Sequence, residues 1–233
     1  MAIEKSTSIN ETLRGLSYTF VESIPPLERA FRIARLKLDN LRGSLGLQCT
    51  SMNYSDVRLL SAESYDKHVA HLGGEKLSDG LFHLATNLCF VRMRPEIFDN
   101  NYELVYAASV NTHEMTHRAM GDRLSKFPDW EEGLTEFITM GIMDRITPLL
   151  LTPSEQKYNQ AQINACVPAN IEGARLDARD FIVYMPGMGN MPYPRVKERR
   201  QVESLARLDP RGYKKFLKAA FGADSPQAER KVA

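Results

Sequence analysis

The chain has 233 residues, of which 43% are hydrophobic and 25% charged, and 30 Lys and Arg against 29 Asp and Glu leave a net charge of +1. These proportions are those of a folded globular protein and exclude a disordered one, which would combine low hydrophobicity with a high net charge. There is no apolar run long enough to span a membrane, no secretory signal and no cysteine spacing typical of a disulfide framework, so we expect a cytoplasmic protein.

The first part of the chain predicts one helix followed by a small sheet. Apolar residues recur every three to four positions from residue 26 to residue 42, which indicates an amphipathic helix. Between residues 45 and 93 the segments LQCTSMN, DVRLLS and LFHLATNLCFVRM contain alternating, β-branched and aromatic residues, which favours strands. A short helix over residues 62–72, ended by Gly73 and Gly74, interrupts this sheet.

The second part of the chain predicts mainly helices. Residues 101–122 lack proline and have no glycine before Gly121, so they predict a long helix. Another helix begins at Pro128 or Asp129, with Asp129 as its N-cap. The segment MPGMGNMPYP, residues 185–194, predicts a loop, and two further helices follow over residues 195–208 and 210–221.

One motif in the first of these helices carries most of the functional signal. His113-Glu114-Met115-Thr116-His117 has the pattern HExxH. Residues four apart lie on one helix face, so both imidazoles can bind one metal ion. Glu114 then lies beside the metal and can take a proton from metal-bound water. The motif therefore predicts a catalytic Zn²⁺ site with His113 and His117 as ligands.

A catalytic zinc site needs a third protein ligand, and the sequence WEEGLTEF at residues 130–137 contains three glutamates. HExxH followed by WxEGxxEF on the next helix resembles the gluzincins, the zinc metallopeptidases that include thermolysin-like enzymes and the aminopeptidase N family. The resemblance covers about residues 55–143. It implies that a glutamate of the second helix is the third zinc ligand, and that a carboxylate one turn later orients a ligand histidine.

Two alignments of this resemblance place the third ligand differently. The Glu-Gly pair makes Glu132 the ligand and Glu136 the carboxylate that orients a histidine, expected to be His113, whereas the aminopeptidase spacing makes Glu136 the ligand. We favour Glu132, because the tryptophan supports the same register and Glu136 then has a role. Glu132 has a competing interpretation, since Asp129 and Glu132 have the spacing of a capping box. Glu131, about 100° round the helix, is expected to be a solvated charge.

Related patterns are excluded by single residues. The metzincin pattern HExxHxxGxxH fails because Met120 and Arg123 occupy the positions of its glycine and third histidine. His68, His71 and His83 lack a second donor at metal-site spacing and are interpreted as surface or core residues. The GxMEN segment by which aminopeptidases recognise a free amine is absent, so the sequence does not support aminopeptidase specificity.

The resemblance also implies roles outside the two helices. Gluzincins commonly place a Tyr, His or Arg of the C-terminal lobe against the oxyanion. Tyr193 is our candidate for this catalytic role, and Tyr184 and Arg195 are also available. The family pairs an extended peptide with an edge strand, and LFHLATNLCFVRM is the candidate for that strand.

These observations predict a zincin-like α+β fold with a small mixed β-sheet and a central HExxH helix. We expect an N-terminal α+β lobe over residues 1–122 and a mainly helical C-terminal lobe over residues 123–233, together forming one catalytic unit. The expected function is zinc-dependent hydrolysis of peptide bonds in a peptide or protein substrate. Two alternatives are a zinc hydrolase of a non-peptide amide or small metabolite and a regulatory protein that keeps zinc without turnover. Neither a membrane nor a nucleic acid is an expected partner, although the C-terminal residues are basic.

Overall fold

A computed structural model describes residues 24–49, 52–72, 78–94, 100–121, 123–124, 127–166, 170–171 and 174–222. The α-helices within these ranges are α1 (Pro25–Ser44), α2 (Ala62–Leu72), α3 (Asn101–Met120), α4 (Pro128–Leu150), α5 (Pro153–Cys166), α6 (Val196–Leu208) and α7 (Pro210–Phe221). The strands are β1 (Val57–Ser61), β2 (Gly80–His83), β3 (Leu88–Met93), β4 (Asn170–Ile171), β5 (Ala174–Arg175), β6 (Phe181–Met185) and β7 (Gly189–Pro192). The predicted α+β class is confirmed.

The first helix, α1, buries the face that its periodicity predicted. Pro25 lies at the first helical turn, where a missing N–H removes no helical hydrogen bond. The buried face packs against α3 and α4. It consists of Leu27, Ala30, Phe31, Ala34 and Leu38. Since burying a side chain such as Leu or Phe stabilises the fold by about 1.5–3 kcal/mol, this face is a substantial part of the core.

The predicted sheet contains three strands in the order β1, β3, β2. β1 pairs in parallel with β3, and β2 pairs with β3 in antiparallel orientation, so the prediction of a small mixed sheet is confirmed. β2 and β3 are the two halves of LFHLATNLCFVRM, joined by a turn in which Asn87 adopts a left-handed φ of 55°. β2 is therefore an edge strand, and it contacts α3. In the segment LQCTSMN, the described residues form no strand.

The C-terminal half contains strands and a helix that the sequence did not predict. Residues 185–194 were expected to form a loop, but most of them belong to the β6–β7 hairpin. Gly187 and Gly189 have φ values of 82° and 88°, which allow the tight turn that the Pro-rich composition concealed. Helix α5 was not predicted, because its polar sequence has little apolar periodicity. Helices α6 and α7 are confirmed, whereas Gly73 and Gly74 lie outside the described residues.

The start of α4 corrects the capping-box interpretation. Phe127 occupies the N-cap position without a side-chain cap, and Pro128 is the first helical residue. Asp129 therefore lies inside the first turn and is exposed, so it does not cap the helix. The side chain of Glu132 is not used for a reciprocal capping bond and points to α3 instead, as its contacts with two histidines show.

Both halves of the chain contribute to one hydrophobic core. A single cluster of buried residues extends from Ile24 in front of α1 to Phe221 at the end of α7. It is centred on α3 and α4, which pack closely against each other. The division into lobes at residues 122 and 123 stays a prediction. Within the described ranges, none of the helices combines the length and apolar character needed to cross a membrane.

At Gly133 helix α4 lies close to the backbone of α6, and this position provides a test of that packing. A Cβ at this position would lie 2.7 Å from the backbone carbonyl carbon and oxygen of Glu198, so Gly133→Ala must push α6 away. We expect the free energy of unfolding to fall by about 1–3 kcal/mol, the usual cost of overpacking.

Gly141, in the same helix, is the matched control. A Cβ there meets nothing within 4 Å, so Gly141→Ala is expected to raise the free energy of unfolding by about 0.5–1 kcal/mol. Urea unfolding of both variants measures the difference. Equal stabilities for the two variants would contradict the close α4–α6 packing.

Candidate metal centre

Helix α3 presents the two motif histidines side by side. Asn100 caps its N-terminus by accepting the Tyr102 N–H, and the helix ends at Gly121, whose φ of 71° is unfavourable for other residues. His113 and His117 lie one turn apart, and their Nε2 atoms are 3.0 Å from each other. The two rings therefore direct the same nitrogen towards a common point.

Helix α4 adds a carboxylate at that point. Glu132 Oε2 lies 3.5 Å from His113 Nε2, and Glu132 Oε1 lies 3.4 Å from His117 Nε2. A tetrahedral zinc ion about 2.1 Å from its ligands requires those ligand atoms to be about 3.4 Å apart. The donor set of two imidazoles and a carboxylate and its spacing therefore fit a zinc ion. Among the described residues, this is the group of His, Cys, Asp and Glu side chains whose donor atoms converge as in a metal site.

A separate carboxylate binds the other nitrogen of each ring. Glu136 Oε1 lies 2.9 Å from His113 Nδ1, and Glu131 Oε1 lies 3.1 Å from His117 Nδ1. An Nδ1–H that donates to a carboxylate leaves the Nε2 lone pair available for a metal. The expectation that Glu131 is solvated is wrong, because its side chain is only 17% exposed and is held against His117.

These carboxylates raise the pKa of both histidines in the metal-free protein. Burial alone would lower the pKa of His117, but hydrogen bonds to Glu131 and Glu132 and the charge of Glu114 raise it to about 10. Burial acts in the same direction on His113, and Glu136 outweighs it and raises the pKa. Burial would raise the pKa of Glu132, yet the bond and charge of His117 lower it. The cluster thus balances its negative charges with protons that a cation can replace.

Glu114 lies between α3 and the edge strand β2. Burial raises the pKa of Glu114, while the positive charges of His113 and His117 oppose the shift. The Phe82 N–H donates a hydrogen bond to its carboxylate. A Cβ at Gly80 would lie 2.9 Å from Glu114 Cδ, so only glycine leaves room for this carboxylate. Sequence reasoning missed Gly80 and Phe82, although a glycine in a strand often marks such a close approach.

A cavity of about 590 Å³ opens over the histidines. Apart from residues already described, its walls include Leu81, Leu84, Pro194 and Arg195. Tyr193, the predicted catalytic tyrosine, is not among the lining residues. It is 4% exposed, lies against Arg199 and lines another cavity beside Met143 and Asp144.

Arg195, unlike Tyr193, lines the cavity beside the histidines. It is the N-cap residue of α6 and has a φ of 52°, which is uncommon for a residue other than glycine. Its guanidinium charge contributes to the lowered pKa of Glu132, after the larger effects of burial and of the histidines. Tyr184, the remaining candidate, packs against Tyr158 instead.

The other histidines have different surroundings. His68 is buried and packs against Phe90, with ring centroids 4.5 Å apart. His83 Nδ1 lies 2.9 Å from Thr86 Oγ1, and His71 is exposed. Their interpretation as core or surface residues agrees with these positions.

Comparison of the chain with protein-family models, curated proteins and solved structures finds no match. The resemblance to gluzincins therefore rests on the motif residues themselves and on the geometry that brings them together.

The two outer carboxylates are expected to tune metal affinity. Glu136→Gln and Glu131→Gln should each weaken zinc binding by about 10- to 100-fold, because each replaces the charged carboxylate that orients a histidine with a neutral amide, whose oxygen is a weaker acceptor. Glu132→Gln should cost more than either, since it replaces the anionic oxygen ligand itself with a neutral amide. Competition with a chromogenic chelator measures the three affinities. Asp129→Asn, exposed in the same turn of α4, is the control. A larger loss for Glu136→Gln than for Glu132→Gln would instead make Glu136 the third ligand.

Zinc binding is expected to release protons. With a pKa of about 10, the His117 ring is protonated in the metal-free protein near neutral pH, whereas zinc needs its Nε2 lone pair. Zinc affinity should therefore rise with pH up to about 10. The raised pKa also stabilises the metal-free fold below about pH 6.5, and this contribution is lost as the pH rises through about 10. Titration calorimetry in buffers of different ionisation enthalpy counts the protons, and a heat independent of the buffer would contradict the prediction.

Proposed function

We propose that this protein is a zinc-dependent metallopeptidase that hydrolyses peptide bonds by means of a metal-activated water. The observation that carries the proposal is that the two nitrogens of each imidazole ring have different partners. Both Nε2 atoms face Glu132, while both Nδ1 atoms are bound by carboxylates of the same helix. A histidine that only packs in the core or lies in solvent does not need a carboxylate beside both of its ring nitrogens.

His113, His117 and Glu132 would hold the zinc ion, and Glu136 and Glu131 would orient the two histidines. When bound, zinc lowers the pKa of a water ligand and polarises the carbonyl of the substrate. Three protein ligands are typical of catalytic zinc, which keeps a position for water, whereas structural zinc is usually closed by four. The cavity over the three donors supports turnover over a purely structural role.

Glu114 is the proposed proton carrier. It follows the first histidine, and its carboxylate lies on the wall of the same cavity. Burial favours the form of Glu114 that holds a proton, so after taking a proton from water it can deliver it to the leaving amine. The Phe82 N–H and the absence of a side chain at Gly80 fix where that carboxylate lies.

The surroundings of the site suit an extended peptide. β2 is an edge strand that lines the cavity, and none of the described strands pairs with its outer side, where we place a substrate strand. Leu81 and Leu84 offer apolar contacts for substrate side chains, and Leu84 is 54% exposed. We assign to Arg195 the stabilisation of negative charge that develops on the carbonyl oxygen.

The arrangement of elements agrees with a zincin-like fold of the gluzincin type. A small mixed sheet with an antiparallel edge strand lies next to the HExxH helix, and the following helix carries the third donor. The order of these elements along the chain is the one that the resemblance implied.

Glu114→Gln tests the mechanism. The amide cannot accept the proton, so we expect turnover to fall by about 10²- to 10⁴-fold while one zinc ion per chain remains bound. The zinc-loaded protein is incubated with a mixed peptide library, and cleavage sites are found by mass spectrometry, with metal content measured in parallel.

Asp129→Asn, exposed at the start of α4, is the control and should keep full activity. A Glu114→Gln variant that cleaves at the unchanged rate would show that Glu114 is not the base. Failure of the zinc-loaded protein to cleave any peptide, with hydrolysis of small amides instead, would favour the alternative substrate class.

A further inference from the structure

A second large cavity lies between α6 and the segment that leads into β6. It measures about 620 Å³, within the range of about 300–1,000 Å³ that is usual for small-molecule sites. It shares no lining residue with the cavity of the metal centre. The proposed peptidase activity makes no use of it.

The walls of this cavity are rich in arginine. Five arginines and three carboxylates line it, which leaves a surplus of two positive charges. The arginines come from β5, from the short turn before β6 and from α6, so they surround the cavity from different elements. They are Arg175, Arg179, Arg199, Arg200 and Arg207.

The three carboxylates are already engaged. Asp180 is buried and accepts hydrogen bonds from Arg199 at 2.6 Å and from Arg200 at 2.7 Å. Asp177 and Glu203 both contact Arg179, at 3.2 Å and 3.6 Å.

Arg175 and Arg207 complete the set and differ from the other three arginines. Within the described part of the chain, neither forms an ion pair with a carboxylate. The surplus charge therefore resides mainly on these two side chains, both of which are exposed at the cavity.

Arg199 adds a second and independent observation. Its side chain is 1% exposed, and its guanidinium contacts Asp180 through Nη2 and Met140 Sδ through Nη1. Its buried Nε has no hydrogen-bond acceptor among the described residues. A buried donor without an acceptor is unfavourable, so this N–H indicates an acceptor that the described residues do not supply.

We propose that this cavity binds a small molecule that carries a phosphate group. Arg175 and Arg207 are the unpaired cations that would bind its oxygens, with Arg199 Nε as a further donor. A phosphate dianion matches the surplus of two charges, and the planar forks of arginine bind phosphate oxygens in pairs. The cavity is larger than a bare phosphate requires, so the ligand has an organic part.

Titration of inorganic phosphate into the full chain tests the proposal. Calorimetry is done at constant ionic strength, set with sodium chloride, on both metal-free and zinc-loaded protein. We expect saturable binding in both forms. Arg175→Gln and Arg207→Gln should each weaken it by about tenfold or more, the loss expected for one charge-assisted hydrogen bond. Both residues are exposed, so folding is expected to be preserved.

Arg211→Gln is the matched control, because Arg211 is exposed on α7 and does not line the cavity. It should leave the affinity unchanged. Equal weakening by Arg211→Gln would overturn the proposal, since the binding would then be general charge attraction. Binding that appears only with zinc, or that persists unchanged in Arg175→Gln and Arg207→Gln, would place the phosphate elsewhere. A response that does not saturate would equally overturn it. None of these outcomes depends on peptidase activity.

Discussion

The close packing of α3 against α4 forces four carboxylates and two imidazoles into one partly desolvated cluster. Glu114, Glu131, Glu132 and Glu136 surround His113 and His117, and buried charges of one sign are costly unless opposite charges lie beside them. Protonation of His117, whose pKa is raised to about 10, supplies part of that balance in the metal-free protein. A divalent cation supplies the same charge in one atom. The electrostatics of the core therefore favour binding of a cation at this position.

The helical period of α4 lets one face of the helix reach the histidines of α3 while another face packs against α6. The glutamates at positions 131, 132 and 136 reach the histidines of α3, whereas Gly133 faces the backbone of α6. The Glu-Gly pair thus joins the proposed metal ligand Glu132 to a close helix contact. Arg195, the N-cap residue of α6, lies near this contact in the chain and lines the cavity above the histidines.

The same helix α6 links the metal centre to the second cavity. Arg195, at its N-terminus, lines the first cavity, and Arg199, Arg200 and Arg207 line the second. Asp180 holds α6 to the turn before β6 through two arginines. One rigid element therefore carries cationic groups to both cavities, and its packing on α4 sets the position of both sets.

Local sequence determined much of this protein. Three features depend only on residues close together in the chain, so the sequence predicts them without a structure. They are the helical periodicity of α1, the end of α3 at Gly121 and the HExxH spacing. The Glu-Gly pair favoured Glu132 over Glu136 for the same reason. The short-range rules failed where the chain reverses tightly at Gly187 and Gly189, because composition does not distinguish a loop from a hairpin.

Only the tertiary structure decided which side chains from distant elements meet. It held Glu131 against His117, placed Gly80 and Phe82 against Glu114, and put Arg195 but not Tyr193 on the wall of the cavity beside the histidines. It also assembled an arginine-lined cavity from β5, α6 and the turn between β5 and β6. Sequence spacing specifies neighbours along a helix, but contacts between elements depend on how the buried faces pack, and that is a property of the whole fold.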